Sequence, residues 1–402
     1  MKILYINSLY APDIRGGAEL SLKLLVEGMQ SRGIEVVVLS LSPNNGLSSD
    51  VVDGVKVYRA GLKNSYWPYD KNKPSTLKRL KWHLKDQYNV TMRQYVKEVI
   101  ESEKPDLVSC HNLAGWSIAV WDEITLHQIP VMQVLHDMYL LCPNSNMYKG
   151  DKACETPCLQ CSLLRSKHQK KSLQVSSVVG ISKSILERFT GQGYFTTSKQ
   201  YVIHNTRDIP SSSLPKKRNA HNQINIGYLG TLSKIKGVEW LIHSFKNRNY
   251  LGTLTIAGKG KEAYESYLKS MVKDPDIHFI GHTKPEDLFA KIDVLVVPSL
   301  WEEPLGMVAI EALAHHIPVI ANCAGGLKET VKDGFNGLFV DASQPNSLDQ
   351  ALTRLYKDEH LYNKLSANAR SSVAAILDKE RLLNEYEMAI QETLGVNSWE
   401  EI

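Results

Sequence analysis

Residues 293–313 read DVLVVPSLWEEPLGMVAIEAL. An apolar run, 293–297, ends in Pro298-Ser299; a loop then carries Glu302 and Glu303, and a helical pattern begins near Gly306. A short, continuously apolar run followed by a helical pattern predicts one strand of a parallel sheet, covered on both faces. The same alternation recurs on both sides of this stretch. Apolar runs at 224–229, 253–257, 277–280, 317–321 and 337–340 complete a second-half series, and helical patterns continue from Ser347. The first half repeats the scheme, with strands predicted at 2–6, 35–41, 106–110, 131–135, 178–181 and 200–204. Helical patterns at Ala18–Ser31 and Met92–Ser102 lie between them.

Between the two series, residues 206–223 (TRDIPSSSLPKKRNAHNQ) are polar and contain Pro, Ser and charge, the composition of a linker. The sequence therefore predicts an α/β protein of two doubly wound, Rossmann-like domains, 1–205 and 206–375. Ligands of open α/β sheets bind beyond the carboxyl ends of the strands, so two such sheets suggest one ligand cleft.

Length and composition agree. The 402 residues suffice for two domains. With 43% hydrophobic and 22% charged residues, a disordered, collagen-like or coiled-coil chain is excluded. A net charge of +4 does not mark a nucleic-acid binder. No apolar run reaches the ~18 residues of a membrane span. The opening Met1–Ile6 is broken by Asn7 and Ser8, which favours a buried strand over a signal peptide. Six cysteines are too few for a secreted disulfide scaffold, so a cytoplasmic protein is expected.

Two segments of the first domain stand apart. From Lys63 to Lys85 the insert 61–91 carries Lys63, Lys71, Lys73, Lys78, Arg79, Lys81 and Lys85 against the single acid Asp70, with Trp67, Tyr69 and Trp82 interleaved. That mixture suits the anionic inner face of a membrane, or else a solvated surface helix and loop. Cys142, Cys154, Cys158 and Cys161 follow at C-x11-C-x3-C-x2-C spacing, with Arg165, Lys167, Lys170 and Lys171 after them. Four thiolates in a reducing compartment fit a closed structural zinc site; free thiols, disulfides or an iron–sulfur cluster are the alternatives.

Three places carry candidate chemistry. Gly16-Gly17, between the first strand and a helix, can turn backbone N–H groups toward an anion, or simply make a tight turn. Glu303 and Glu311, eight residues apart across a loop–helix junction, can accept hydrogen bonds from sugar or ribose hydroxyls. The amides of Leu305 and Gly306 sit where an anion would meet a helix start.

In this arrangement 296–313 resembles the E-x7-E motif of retaining glycosyltransferases of family 4, which have the GT-B fold. Gly230–Gly237 (GTLSKIKG) resembles that family's G-R-L-x-x-x-K-G signature. Val202–Asn205 resembles its strand ending in Asn at the domain junction, and Ala324–Glu329 and Asp333–Gly337 resemble its late glycine motifs. The resemblance spans the chain in order. It implies a hexosyltransferase that moves a sugar from a nucleotide diphosphate-sugar, such as a UDP-sugar, to a saccharide or lipid-linked saccharide acceptor. Surface polysaccharide or glycolipid biosynthesis would be its setting. It further implies that Glu311 binds the ribose, that Glu303 contacts the transferred sugar, and that Lys236 neutralises the donor diphosphate. Gly16-Gly17 and Leu305-Gly306 would assist Lys236, and His136 would lie close to the reacting sugar. No catalytic divalent metal is implied, since Lys236 stands in for one. The final segment, 376–402, would cross back to the first domain. One departure is Thr231, where the family has Arg; Arg207 and Lys234 are the candidate replacements, neither placed by the motif. A nucleotide-sugar epimerase of the same fold and a non-catalytic nucleotide-sugar-binding scaffold are the alternatives.

Overall fold

A computed structural model describes residues 1–70, 74–210 and 214–396. The chain separates into two compact units. The first comprises Met1–Met147, Cys154–Asn205 and the segment from Glu380; the second comprises Tyr148–Ala153 and Thr206–Lys379.

The first unit is built on an eight-stranded sheet. From one edge its strands run Lys199–Val202, Ser177–Gly180, Val131–Leu135, Leu107–Cys110, Lys2–Ile6, Glu35–Ser42, Val55–Gly61 and Leu47–Val52. All neighbours are parallel except the last pair, which is antiparallel. The apolar runs of the central strands are buried throughout, as covering on both faces requires. The edge hairpin Leu47–Gly61 has no counterpart in the predicted strands. Its outer strand is largely exposed, so it lacks the apolar run that marks a central strand. Its signal is instead the turn: Asp53 and Gly54 both have positive φ (49° and 81°), the geometry of a two-residue hairpin.

The second unit holds a six-stranded, wholly parallel sheet in the order Ile277–Gly281, Gly252–Ala257, Ile224–Leu229, Val294–Val297, Val319–Asn322 and Gly337–Val340. Its core includes Ile226, Leu241, Phe245, Leu254, Val296 and Leu352. Strand order reverses between Ile224–Leu229 and Val294–Val297. A doubly wound sheet binds ligands beyond the carboxyl ends of the strands flanking such a reversal. In the first sheet the corresponding place lies between Lys2–Ile6 and Leu107–Cys110.

Candidate active site

At the reversal of the second sheet, the strand Val294–Val297 delivers Pro298 and Ser299 into a loop that ends at Gly306. The helix Met307–Ala314 starts there, with Gly306 at φ +82° as its cap. Glu303 lies in this loop and is buried. Its Oε1 accepts from Lys236 Nζ at 2.6 Å, Ser299 Oγ at 2.5 Å and Trp301 Nε1 at 3.0 Å. A buried carboxylate needs such donors to offset its lost hydration. Lys236 Nζ also lies 5.1 Å from the Trp301 ring centroid, so indole and carboxylate hold one ammonium between them.

Lys236 belongs to a short turn, Lys234–Lys236, which docks on the same loop through the Leu300 N–H and the Ile235 carbonyl (2.8 Å). Gly237 follows at φ +72°, and any Cβ there would overlap the Pro298 carbonyl oxygen. Only glycine combines that backbone with that approach. On the other side the Gly326 N–H donates to the Glu303 carbonyl at 2.7 Å, and Asn322 Nδ2 donates to the Ser299 carbonyl at 2.8 Å. The loop carrying Glu303 is thus tied at three points.

Glu311 sits one turn into the helix. Its Oε1 meets Arg207 Nε at 3.2 Å. Burial raises the Glu311 carboxyl above its ordinary range, with Arg207 opposing. Burial likewise lowers Arg207, with Glu311 opposing. Arg207, one of the two cations considered as a replacement for the arginine absent at Thr231, pairs here with the expected ribose-binding carboxylate. Lys234 is turned to Asp151, at 2.9 Å. Thr231 itself is exposed, and its carbonyl accepts from the Tyr228 hydroxyl at 2.9 Å.

The first unit presents a separate set of groups at the carboxyl edge of its own sheet. His136 follows the strand Val131–Leu135, and its Nε2 lies 2.8 Å from His111 Nδ1 with the rings stacked. His111 Nε2 lies 3.1 Å from Ser109 Oγ. Burial, and then the neighbouring His136, push His111 well below the usual imidazole range, so the inner ring stays neutral. Burial raises the next residue, Asp137, to about 6, against hydrogen bonds from the Tyr139 N–H and the side chains of Asn112 and Ser145. His111 escaped the sequence reading, although its position one residue past the strand Leu107–Cys110 is the kind of place where ligands bind.

Gly16 caps the helix Gly17–Ser31. Its N–H donates to Glu19 Oε2 at 2.8 Å, so an anion at this amide would first displace the helix's own carboxylate. The expected zinc site at Cys142, Cys154, Cys158 and Cys161 is not supported. Among the described residues, no three or more His, Cys, Asp or Glu side chains are placed to hold a metal ion. Cys158 Sγ and Cys161 Sγ are 3.6 Å apart. Burial, followed by the neighbouring Cys142 and Cys158, raises the Cys161 thiol well above its ordinary range. The aromatic residues of the insert are packed. Trp82 is buried against Tyr66 and His83, while Trp67 packs edge-on against Tyr69, so the aromatic residues do not form an exposed stripe. Lys71 and Lys73 lie outside the described residues.

Comparison with known proteins fits this geometry. A model of Glycosyltransferase Family 4 matches residues 15–209, and a model of Glycosyl transferases group 1 matches residues 212–372. The chain is 30% identical to an uncharacterized 42.6 kDa protein in the cps region of Klebsiella pneumoniae, over 82% of this chain and 87% of that one. An uncharacterized glycosyltransferase of Methanocaldococcus jannaschii is 24% identical over 93% of each chain. In fold it is similar to Anabaena HepE, solved with UDP and glucose, with a TM-score of 0.72 and 18% identity over 98% of this chain and 100% of that one. Sucrose-phosphate synthase from Thermosynechococcus elongatus gives a TM-score of 0.73 at 19% identity over 98% of this chain and 99% of that one. With its two parallel sheets, its tethered Glu303 loop and these matches along its length, the chain belongs to the group 1, family 4 glycosyltransferases and has the GT-B fold.

Proposed function

We propose that this glycosyltransferase moves a hexosyl group, with retention, from a UDP-sugar to a saccharide acceptor, in surface polysaccharide or glycolipid biosynthesis. The observation that carries the reading is the Glu303 carboxylate, held by Lys236, Ser299 and Trp301 at the carboxyl edge of the second sheet, with Glu311 eight residues on. Glu311 takes the ribose hydroxyls in place of Arg207, and Glu303 takes hydroxyls of the transferred sugar. Lys236 faces the diphosphate, whose negative charge grows as the anomeric carbon–oxygen bond breaks. The acceptor oxygen forms the new bond on the same face, and its proton passes to the departing phosphate oxygen. The amides of Leu305 and Gly306 add donors to that phosphate. His136 orients the sugar, fixed by its contact with His111.

The UDP donor is supported by the UDP and glucose bound to HepE, and the polysaccharide setting by the cps-region relative. The basic insert favours a lipid-linked saccharide acceptor at the inner face of a membrane. Calorimetric titration with UDP-, GDP-, ADP- and dTDP-sugars tests the donor. Binding of a UDP-sugar alone is the expected result, and selective binding of another base refutes the UDP assignment. Binding followed by conversion of the free donor without any acceptor supports the epimerase alternative instead.

A further inference from the structure

The helix Thr76–Gln87 has two faces of opposite use. Trp82 and Asp86 point inward and are buried. Asp86 anchors the helix by accepting from the Gly115 N–H at 2.6 Å and the Tyr139 hydroxyl at 2.7 Å. On the outer face Leu77, Leu80 and Leu84 are 68%, 50% and 54% exposed. At about 100° per residue these three leucines fall within roughly 60° and lie opposite Trp82 and Asp86. The stripe is thus aimed at solvent by the same packing that fixes the helix.

It does not end with this helix. Gln87 Nε2 donates to the Leu163 carbonyl (3.2 Å) and to Ser166 Oγ (3.1 Å), which seats the helix Leu159–Leu164 beside it. That helix exposes Leu159 at 79% and Leu163 at 64%. Single exposed leucines are ordinary, whereas five on two adjoining elements mark an interaction surface.

Charge names the partner. Lys78, Lys81 and Lys85 are exposed on the leucine helix. Beyond its end lies a groove of about 790 Å³ lined by Tyr88, Lys167, Lys170 and Leu173, among others. Lys167 Nζ sits 5.6 Å from the Tyr88 ring centroid. From Thr156 to Lys171 the chain has no acidic residue. Leucines ringed by lysines match the interface of an anionic bilayer: acyl chains for the stripe, headgroup phosphates for the lysines. A second copy of the same basic face would be repelled.

We propose that the face formed by Thr76–Gln87 and Leu159–Lys171 docks on an anionic phospholipid membrane, with Leu77, Leu80, Leu84, Leu159 and Leu163 entering the interface. This deepens the acceptor reading above and rests on it only for what is glycosylated there. The test is co-sedimentation of the full chain with phosphatidylcholine vesicles with and without phosphatidylglycerol. At least tenfold tighter binding to the anionic vesicles is expected, weakening with salt. The combined variant Leu77→Ser, Leu80→Ser, Leu84→Ser should lose at least tenfold, with Tm unchanged. The pair Lys78→Glu, Lys81→Glu should abolish the preference for phosphatidylglycerol. Equal binding to both vesicles, or none, overturns the proposal. So does light scattering that shows a wild-type dimer made monomeric by the leucine variant, because the face would then be a self-interface. UDP-sugar affinity, measured calorimetrically in the same variants, should not change. Its loss in the wild type would count against the transferase reading and not against the membrane face.

Discussion

The ammonium of Lys236 lies 2.6 Å from the Glu303 carboxylate, so the two groups assigned to diphosphate and sugar neutralise each other before any donor binds. A pair of this kind shields each charge from the cost of standing alone in a buried loop. It also holds the lysine in place for a leaving group. Removing one cation aimed at developing charge costs about 10²–10³ in turnover. Lys236→Ala is therefore expected to lower kcat by that order while leaving a folded protein, and steady-state kinetics with the identified donor checks it. A kcat within about twofold of wild type would refute the role.

Glu311 and Arg207 form the second pair at this edge. Glu311→Ala should weaken donor binding by about 1–3 kcal/mol, the usual cost of losing a hydrogen bond to a charged group. Arg207 then stands buried without its carboxylate, so a lower Tm should accompany the loss. Calorimetry and thermal unfolding of Glu311→Ala and Glu311→Gln separate the two effects, since Gln retains the shape and one acceptor.

Gly237 tests whether the loop needs its close approach. Gly237→Ala places a Cβ against the Pro298 carbonyl at a backbone φ of +72°. Left-handed backbone costs a non-glycine residue roughly 1–2 kcal/mol, and the overlap adds to that. A Tm fall of several degrees with weaker UDP-sugar binding is the expected outcome. An unchanged Tm would mean that the loop moves without penalty.

A pH dependence follows from Glu103. Burial alone would raise its carboxyl, but bonds from Lys56 (2.6 Å), Tyr58 (2.6 Å) and Lys2 (3.1 Å) outweigh burial and hold it down at about 2. A depressed carboxyl contributes stability above its unfolded value of about 4.3, and that stability disappears as pH falls toward 2. Glu103→Gln should thus cost about 2 kcal/mol at pH 7, the worth of hydrogen bonds to a charged group, and almost nothing near pH 2. Tm against pH for both proteins provides the check; parallel curves would exclude the linkage.

Much of this was legible in the residues themselves. The apolar runs located every strand of the eight- and six-stranded sheets except those of the hairpin Leu47–Gly61, because a strand covered on both faces has no polar side to break its pattern. The edge hairpin Leu47–Gly61 escaped for the converse reason, its outer strand being wet. Glu303, Glu311 and Lys236 were readable through an ordered set of motifs. Their partners were less so: Ser299 and Trp301 stand within four residues of Glu303, yet nothing local says that both donate to it. Arg207 is 104 positions from Glu311, and only the fold brings them together. In the insert, helical spacing separates Leu77, Leu80 and Leu84 from Trp82 and Asp86 but does not say which set faces in. Asp86, tied to Gly115 and Tyr139, decides it.

The helix Lys379–Leu394 returns to the first unit, where Leu383 fills the space that a Cβ on Gly28 would occupy and Arg381 reaches the His204 carbonyl at 2.8 Å. The hollow at Gly28 is made by residues that are synthesised some 355 positions before the leucine that closes it. Over that stretch of synthesis the apolar face has no cover of its own. The first sheet can assemble early, but the nascent chain exposes a leucine-shaped vacancy until Leu383 emerges. A premature stop shortly before residue 380 would leave a polypeptide with both sheets present and a sticky face unprotected, a substrate for chaperones and proteases.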